Sequence, residues 1–258
     1  MDFLLLIIFV QILLESLPVS SSGHLLLVLN ILLGAEGSHT IFLSCVTPFY
    51  YALHGTTALV VLVFFYHFWK DVLHDMWVKR SFFTRPVVFF FIVEFVTLIG
   101  FLIFRPFLKN IPVAVGFIIT ACLLFGLRKI KPDSIINKWH YIDALLIGLA
   151  QTLAFAPGIS RLGATYFIAR FKKIAPVDSL AISFLAFVPL GIGGLVIGLY
   201  QLSRAPIMCF DTIYLIGILF ATIGSYFLLY VVYFLIKRNR LWWLGWYMLL
   251  PIIVALWM

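Results

Sequence analysis

The 258-residue chain is 64% hydrophobic and only 11% charged, and it carries a formal net charge of +8. Soluble domains are roughly 45–50% apolar and about 25% charged, so this composition excludes an ordinary soluble protein and predicts an integral membrane protein. The basic residues lie in short loops between apolar runs, where they suit lipid headgroups and membrane topology, and we expect no nucleic-acid partner.

The chain begins with two apolar runs that are too short to cross a bilayer. Residues 3–14 and 24–33 flank the sequence LPVSSSG, whereas a spanning helix needs ~20 apolar residues. The pair therefore predicts a re-entrant helix hairpin over residues 3–33, which enters and leaves the membrane on one side. Three full spans are predicted after it, at about 41–67, 87–104 and 111–127, with a polar, basic loop at 68–86.

The second half repeats this plan after a hydrophilic connector at 128–140. A second re-entrant hairpin is predicted over residues 141–171, with the sequence APGISRLGAT in its polar loop. Three further spans are predicted at about 179–200, 212–236 and 241–257.

The two polar loops share a loose register, in which Pro18 is followed by Ser21 and Gly23, and Pro157 is followed by Ser160 and Gly163. We therefore predict an all-α polytopic membrane protein made of an inverted repeat. The first repeat covers residues 1–130 and the second covers 131–258, each with one re-entrant helix hairpin and three transmembrane helices. Broken helices of opposite orientation would then meet near the midplane and form one site.

The distribution of basic residues predicts the orientation of the chain. Fourteen of the 18 Lys and Arg residues fall on the side of the membrane opposite the N-terminus, and three fall on the same side as the N-terminus. Because Lys and Arg accumulate in cytoplasmic loops, both termini are predicted on the outer face.

The first hairpin holds several polar side chains at membrane depth, where such groups usually act chemically or line a wet cavity. Gln11 and Glu15 are four residues apart and share one face of a helix. The serines that follow open the returning helix, whose N-terminus suits a phosphate. The candidate site residues of this hairpin are Gln11, Glu15, Ser20, Ser21, Ser22, Gly23 and His24.

The second hairpin adds an arginine, whose planar fork matches phosphate oxygens. Its candidate site residues are Gly158, Ser160, Arg161, Gly163 and Thr165. A hydroxyl, a histidine, a carboxylate and an arginine that converge would form a phosphoryl-transfer or phosphoanhydride-cleaving site. Glu94, in the second span, either faces or supports that site or hydrogen-bonds another helix. His54 is expected to pack between helices or to support the site from behind.

The two motifs together resemble those of the bacitracin-resistance type undecaprenyl-diphosphate phosphatases. The resemblance rests on a Gln, three residues, a Glu and then PVSSSGH, paired with PGISRLGAT, and it covers essentially the whole chain. It implies a multi-pass enzyme of the bacterial inner membrane with an active site towards the outer face. Such an enzyme hydrolyses undecaprenyl diphosphate to undecaprenyl phosphate and inorganic phosphate, which recycles the lipid carrier for peptidoglycan synthesis.

The resemblance also implies roles for individual residues. Glu15, Ser21, His24 and Arg161 match the catalytic positions, and the other candidates match substrate-binding positions. Ser21 and His24 both remain candidates for the nucleophile. Glu15 is the only motif carboxylate, because Gln11 occupies a position that accepts Gln or Glu, so a Mg²⁺ or Ca²⁺ ion would be held by Glu15 and substrate oxygens.

One position departs from the family pattern, since Leu162 replaces the serine that normally follows the arginine. A different class of function also fits the same plan, namely a carrier that moves a polyprenyl phosphate across the bilayer. A carrier needs the arginine but has no use for a nucleophile and a base. The run GIGGLVIG at 191–198 permits close helix packing within or between subunits, including a homodimer.

Overall fold

The computed structural model describes residues 2–33, 40–81, 84–130, 139–205 and 212–257, and within these ranges all regular secondary structure is helical. The helices are α1 Asp2–Glu15, α2 Ser21–Leu33, α3 Thr40–Phe64, α4 Tyr66–Lys79, α5 Arg85–Leu108, α6 Val113–Leu127, α7 Tyr141–Leu153, α8 Arg161–Phe171, α9 Pro176–Leu185, α10 Val188–Leu202, α11 Thr212–Lys237, a 3₁₀ turn Leu241–Trp243, α12 Leu244–Tyr247 and α13 Leu249–Trp257.

Among the described residues, four helical stretches are long and apolar enough to cross a membrane, namely Val46–Phe64, Arg85–Leu108, Pro176–Leu202 and Thr212–Lys237. The last predicted span of each half is shorter. Helix α6 has 15 residues, which is about 22 Å at 1.5 Å per residue, and the stretch Leu241–Trp257 is divided into three helical pieces. The all-α polytopic class is confirmed, with four long spans among the described residues.

The predicted loop at 68–86 is wrong in one respect, because most of it is helix α4. Its charged residues are compatible with a helix, since Lys79 Nζ lies 2.7 Å from Asp75 Oδ2 at a spacing of four residues. The helix ends at Arg80, which adopts a left-handed conformation with φ of 46°. Leu73 and Trp77 of this helix are exposed, whereas Val72 is buried.

The fourth predicted span is also interrupted, because α9 ends at Leu185 and α10 begins at Val188. Pro189 lies in the first turn of α10. Proline has no backbone N–H to donate to the carbonyl of Leu185, so a continuous helix would lose a hydrogen bond at this point. The break places Ala186 and Phe187 between the two helices.

The returning helices of the two hairpins begin with the same kind of cap. Both returning helices follow a serine whose hydroxyl accepts a hydrogen bond from a glycine amide three residues later, Ser20 from Gly23 at 3.3 Å and Ser160 from Gly163 at 3.1 Å. Both pairs are offset by 140 residues, since 160 follows 20 and 163 follows 23. The predicted correspondence of Ser21 with Ser160 is therefore wrong by one residue, because Ser21 corresponds to Arg161. The predicted correspondence of Gly23 with Gly163 agrees with the structure.

Helices of the first half pack mainly against helices of the second half, and the contacts come in matching pairs. Helix α5 packs against α7, and α11 packs against α1. Helix α6 packs against α8, while α13 packs against α2, and α3 and α10 pack against each other. This is the pattern that two related halves produce. The repeat bounds of 1–130 and 131–258 remain predictions, and part of the connector between them lies outside the described residues.

Three glycines of the 191–198 run, Gly191, Gly194 and Gly198, face α3 of the same chain. A Cβ atom on Gly198 would come within 2.3 Å of the Ala52 backbone nitrogen, and one on Gly194 within 3.0 Å of the Tyr51 carbonyl oxygen. The small residues thus allow two helices to approach within one chain. The homodimer stays a prediction without support from this face.

Candidate active site

The polar loops of the two hairpins lie in direct contact. A Cβ atom added to Gly23 would lie 2.8 Å from the Cα atom of Gly158. Gly158 has a positive φ of 85°, which favours glycine, and α6 passes close to it. Thr120 of α6 fixes this loop, because its hydroxyl donates to the Gly158 carbonyl at 2.8 Å and accepts from the Ser160 amide at 2.8 Å.

A cavity of about 100 Å³ lies between the loops. Six of the residues predicted from the sequence line it, namely Glu15, Ser20, Ser21, Ser22, Ser160 and Arg161. The other six, Gln11, Gly23, His24, Gly158, Gly163 and Thr165, lie behind this layer or in the contact between the loops. The two motifs, which are far apart in the chain, therefore come together at one cavity.

The last residue of α1 and the first residue of α2 form the closest polar pair in this cavity. The Ser21 hydroxyl donates a hydrogen bond to Glu15 Oε2. The same carboxylate oxygen accepts from Gln11 Nε2 at 2.8 Å, and that amide nitrogen lies 3.1 Å from His54 Nδ1. The carboxylate is thus held in place beside a hydroxyl whose proton it can accept.

His24 does not line the cavity. Its Nδ1 atom lies 2.8 Å from the Ser20 carbonyl oxygen, and because a carbonyl only accepts, Nδ1 carries the proton. Its Nε2 atom then accepts from the Tyr247 hydroxyl at 3.0 Å, and the two rings stack with centroids 5.7 Å apart. Both ring nitrogens are therefore occupied, and the imidazole braces the serine turn, in which Ser20 has a positive φ of 67°.

Arg161 is the first residue of α8, and its guanidinium lies over the ring of Phe187, with Cζ 4.8 Å from the ring centroid. Its Nη1 atom is buried and has no hydrogen-bond partner among the described residues. A buried donor without a partner costs free energy, so this nitrogen is suited to an oxygen ligand in the cavity.

Two other polar residues of the second motif form hydrogen bonds within the first turns of α8. The Thr165 hydroxyl donates to the Arg161 carbonyl at 2.8 Å, and Ser160 caps the helix. Leu162 lines the cavity and also packs in the largest apolar cluster. The position where the family pattern has a serine is therefore filled by a buried hydrocarbon side chain.

Sequence reasoning missed Tyr50 and Phe155, and it gave His54 a packing or supporting role and not a place in the cavity wall. Tyr50 and His54 of α3 line it, together with Phe155 at the end of the second hairpin's first helix. A histidine at membrane depth was a signal for this, although its neighbours cannot be read from spacing. Glu94 does not line the cavity, and instead lies 3.4 Å from Gln151 Nε2 across the α5–α7 contact.

An apolar groove of about 310 Å³ continues from this cavity. The cavity and the groove share Ser22, Tyr50 and Phe155 in their walls. The other groove residues come from α2 and α3 and from the second loop, and they are Leu25, Leu26, Leu29, Val46, Thr47, Tyr51 and Pro157. A polar headgroup site thus adjoins a surface suited to hydrocarbon.

Comparison with known proteins extends the likeness over nearly the whole chain. The family model for bacitracin resistance protein BacA matches residues 4–254. An undecaprenyl-diphosphatase from Borrelia recurrentis is 31% identical over 257 residues, covering 93% of this chain and 92% of that protein. Another from Halothermothrix orenii is 30% identical over 248 residues, covering 90% of this chain and 88% of that protein. The chain therefore belongs to the family of bacitracin resistance protein BacA.

Proposed function

We propose that this protein hydrolyses undecaprenyl diphosphate to undecaprenyl phosphate and inorganic phosphate. The observation that carries the proposal is the cavity that Ser21, Glu15 and Arg161 line together. A nucleophile, a base and a phosphate-binding cation at one place are what phosphoanhydride cleavage requires. The undecaprenyl-diphosphatases among the relatives support the same reaction.

The geometry favours Ser21 over His24 as the nucleophile. The hydroxyl oxygen of Ser21 attacks the terminal phosphorus while Glu15 accepts its proton. The bond between that phosphorus and the bridging oxygen breaks, and undecaprenyl phosphate leaves with the bond's electron pair. Water then hydrolyses the phosphoserine and releases inorganic phosphate. His24 keeps the serine turn in place, because its two ring nitrogens bond Ser20 and Tyr247.

Arg161 stabilises the negative charge that grows on the phosphoryl oxygens as the bond breaks. Its buried Nη1 atom supports this role, because no protein acceptor among the described residues competes for it. The apolar groove beside the cavity would hold the first isoprene units of the lipid. Its position between α2 and α3 lets the tail run from the headgroup site towards the surrounding bilayer.

A divalent cation would be held by few protein atoms. Among the described residues, Glu15 is the one carboxylate that lines the cavity, and these residues include no group of three His, Cys, Asp or Glu arranged for a metal. Mg²⁺ or Ca²⁺ would therefore bind through Glu15 and the phosphate oxygens of the substrate. The bound ion would supply positive charge to the diphosphate.

The protein is a multi-pass membrane protein with bacterial relatives. We further propose that it lies in the bacterial inner membrane with both termini and the active site towards the outer face. The strong excess of basic residues on the side opposite the N-terminus supports this orientation. At the outer face the enzyme would recycle the carrier for peptidoglycan synthesis.

The experiment is phosphate release by purified protein in detergent with undecaprenyl or farnesyl diphosphate. We expect release by the wild type and its loss in Arg161→Ala and Ser21→Ala. Movement of the lipid across vesicles without phosphate release would instead show the carrier, and both activities together would show a dual role. The names of the relatives describe a diphosphatase, which gives the carrier alternative no support.

A further inference from the structure

The break in the fourth span lies against the arginine of the candidate site. Phe187, between α9 and α10, is buried with 4% of its surface exposed. One face of its ring supports the guanidinium of Arg161, with Cζ 4.8 Å from the ring centroid. A cation over an aromatic face is attracted by the ring quadrupole, and more strongly where water is excluded.

The same ring contacts the other half of the site. The centroid of the Phe187 ring lies 6.0 Å from that of His54. His54 in turn meets Gln11, which donates to Glu15, the partner of Ser21. Phe187 therefore lies between the arginine of one hairpin and the hydrogen-bonded chain that holds the carboxylate of the other.

A buried amide fixes the backbone next to this ring. Gln151 of α7 is fully buried, and its Nε2 atom donates to the Ala186 carbonyl at 3.2 Å. The same nitrogen faces Glu94 Oε1 at 3.4 Å. Irregular backbone at membrane depth needs such partners, because hydrocarbon offers none. Gln151 thus ties the break to α7 and, through Glu94, to α5.

The arrangement has a counterpart in the first hairpin. Gln11 and Gln151 are 140 residues apart, the same offset as Ser20 and Ser160. Each uses Nε2 towards a carboxylate and a second acceptor. The carboxylate of the first hairpin lines the cavity, whereas Glu94 lies behind it. The second amide is therefore placed to position other groups and not to meet the substrate.

We propose that Phe187 is a positioning residue that orients the Arg161 guanidinium, and that Gln151 and Glu94 hold the break that carries it. This inference rests on the proposed function, because its effect is read from how Arg161 acts on a diphosphate. The ring acts through its face and not only through its volume. Gln151 acts through the Ala186 carbonyl, one residue before the ring.

Stepwise fluorination of the Phe187 ring tests whether its attraction for the Arg161 guanidinium matters. Fluorinated phenylalanines keep the shape of the ring and weaken its attraction for a cation. We expect kcat/KM for farnesyl diphosphate to fall with each added fluorine, by about two- to thirtyfold in all. Phe184 is the matched control, because it is buried one turn earlier and packs against Phe65 instead of Arg161. A flat series at Phe187, or an equal fall at Phe184, would overturn the proposal.

Gln151→Met tests the amide, because it keeps the length of the side chain and removes both hydrogen bonds. We expect kcat/KM to fall about five- to fiftyfold, as for a buried carbonyl that loses its donor. The loss should shrink when Phe187→Leu is already present, because both substitutions act on Arg161. The inference would be contradicted if the free-energy losses of the two substitutions simply added. It would also be contradicted if the fall in kcat/KM of Gln151→Met were explained by a smaller amount of folded protein in a thermal melt.

Binding of farnesyl methylenebisphosphonate, a non-hydrolysable probe, separates this inference from the proposed function. If the wild type binds the probe but releases no phosphate from farnesyl diphosphate, the proposed hydrolysis fails. In that case weaker probe binding along the Phe187 fluorine series still supports the positioning of Arg161. Unchanged probe binding along the series rejects it, whether or not the wild type is an enzyme.

Discussion

The Ser21 hydroxyl donates a hydrogen bond to Glu15 Oε2, so the first residue of α2 and the last residue of α1 meet across the turn of the hairpin. Glu15→Gln keeps the shape of the side chain and removes its capacity to accept the serine proton. We expect Glu15→Gln and Ser21→Ala each to lower kcat at least ~100-fold, measured as phosphate release from farnesyl diphosphate. Because the pair acts as a unit, the double variant should be about as slow as Ser21→Ala alone. Losses that multiply would show that the two residues act separately.

His24 offers a test of the choice between the two nucleophile candidates. An asparagine at this position places an amide N–H near the position of Nδ1, so it keeps the donor to the Ser20 carbonyl and lacks a nucleophilic ring nitrogen. We expect His24→Asn to retain phosphate release within about tenfold of the wild type, while His24→Leu loses more because the carbonyl loses its donor. Complete loss in His24→Asn, with a normal melting temperature, would assign the nucleophile to His24.

A substitution at Tyr247 tests the hydrogen bond to the second ring nitrogen of His24. Tyr247→Phe keeps the stacked ring and removes the hydroxyl that donates to His24 Nε2. We expect the free energy of unfolding to fall by about 1 kcal/mol, since one partly buried hydrogen bond is lost, and kcat to change less than about fivefold. The melting temperature in detergent and the rate of phosphate release check these two effects. A rise in kcat would indicate that freeing Nε2 makes His24 more reactive.

The sequence predicts most of the fold and six of the 14 residues that line the cavity. Its short apolar runs and polar loops predict both hairpins. The two motifs predict Ser21 and Arg161 as site residues, and these are the first residues of α2 and α8. His54 of α3 and Phe187, which precedes α10, come together at the site because α3 and α10 pack against each other. The spacing of residues along the chain does not show which helices pack together. Helix α4 was missed for another reason, because its charges suggest a loop although they pair along a helix.

Leu162 tests the one departure from the family pattern. Leu162→Ser and Leu162→Ala remove a similar volume from the largest apolar cluster, so both should lower the free energy of unfolding by about 2–4 kcal/mol. Only the serine adds a hydroxyl to the cavity wall. We therefore expect kcat/KM of the serine variant to exceed that of the alanine variant by about two- to tenfold. Equal values would show that the family serine does not contact the phosphate in this protein.

Gln11→Glu tests the proposed cation site. The substitution adds a second carboxylate four residues before Glu15 on the same helix face. Two carboxylates attract a divalent cation more strongly than one, so the Mg²⁺ or Ca²⁺ concentration for half-maximal phosphate release should fall several-fold. Gln11→Leu removes the amide without adding charge and is the control. An unchanged metal dependence in Gln11→Glu would place the cation away from Glu15.

A substitution at Gly116 tests whether the contact between α6 and the second loop is needed to place Arg161 at the cavity. A Cβ atom at Gly116 would lie 1.9 Å from the Pro157 carbonyl oxygen, so Gly116→Ala forces the loop to move. We expect a loss of several kcal/mol of stability or a displaced loop, with kcat/KM reduced at least ~100-fold because misplaced catalytic groups lose most of their effect. Gly193→Ala is the matched control, since nothing lies within 4 Å of its added Cβ atom and alanine favours the helix. The control should be as active as the wild type and slightly more stable, and normal activity in Gly116→Ala would show that Arg161 reaches the substrate without this contact.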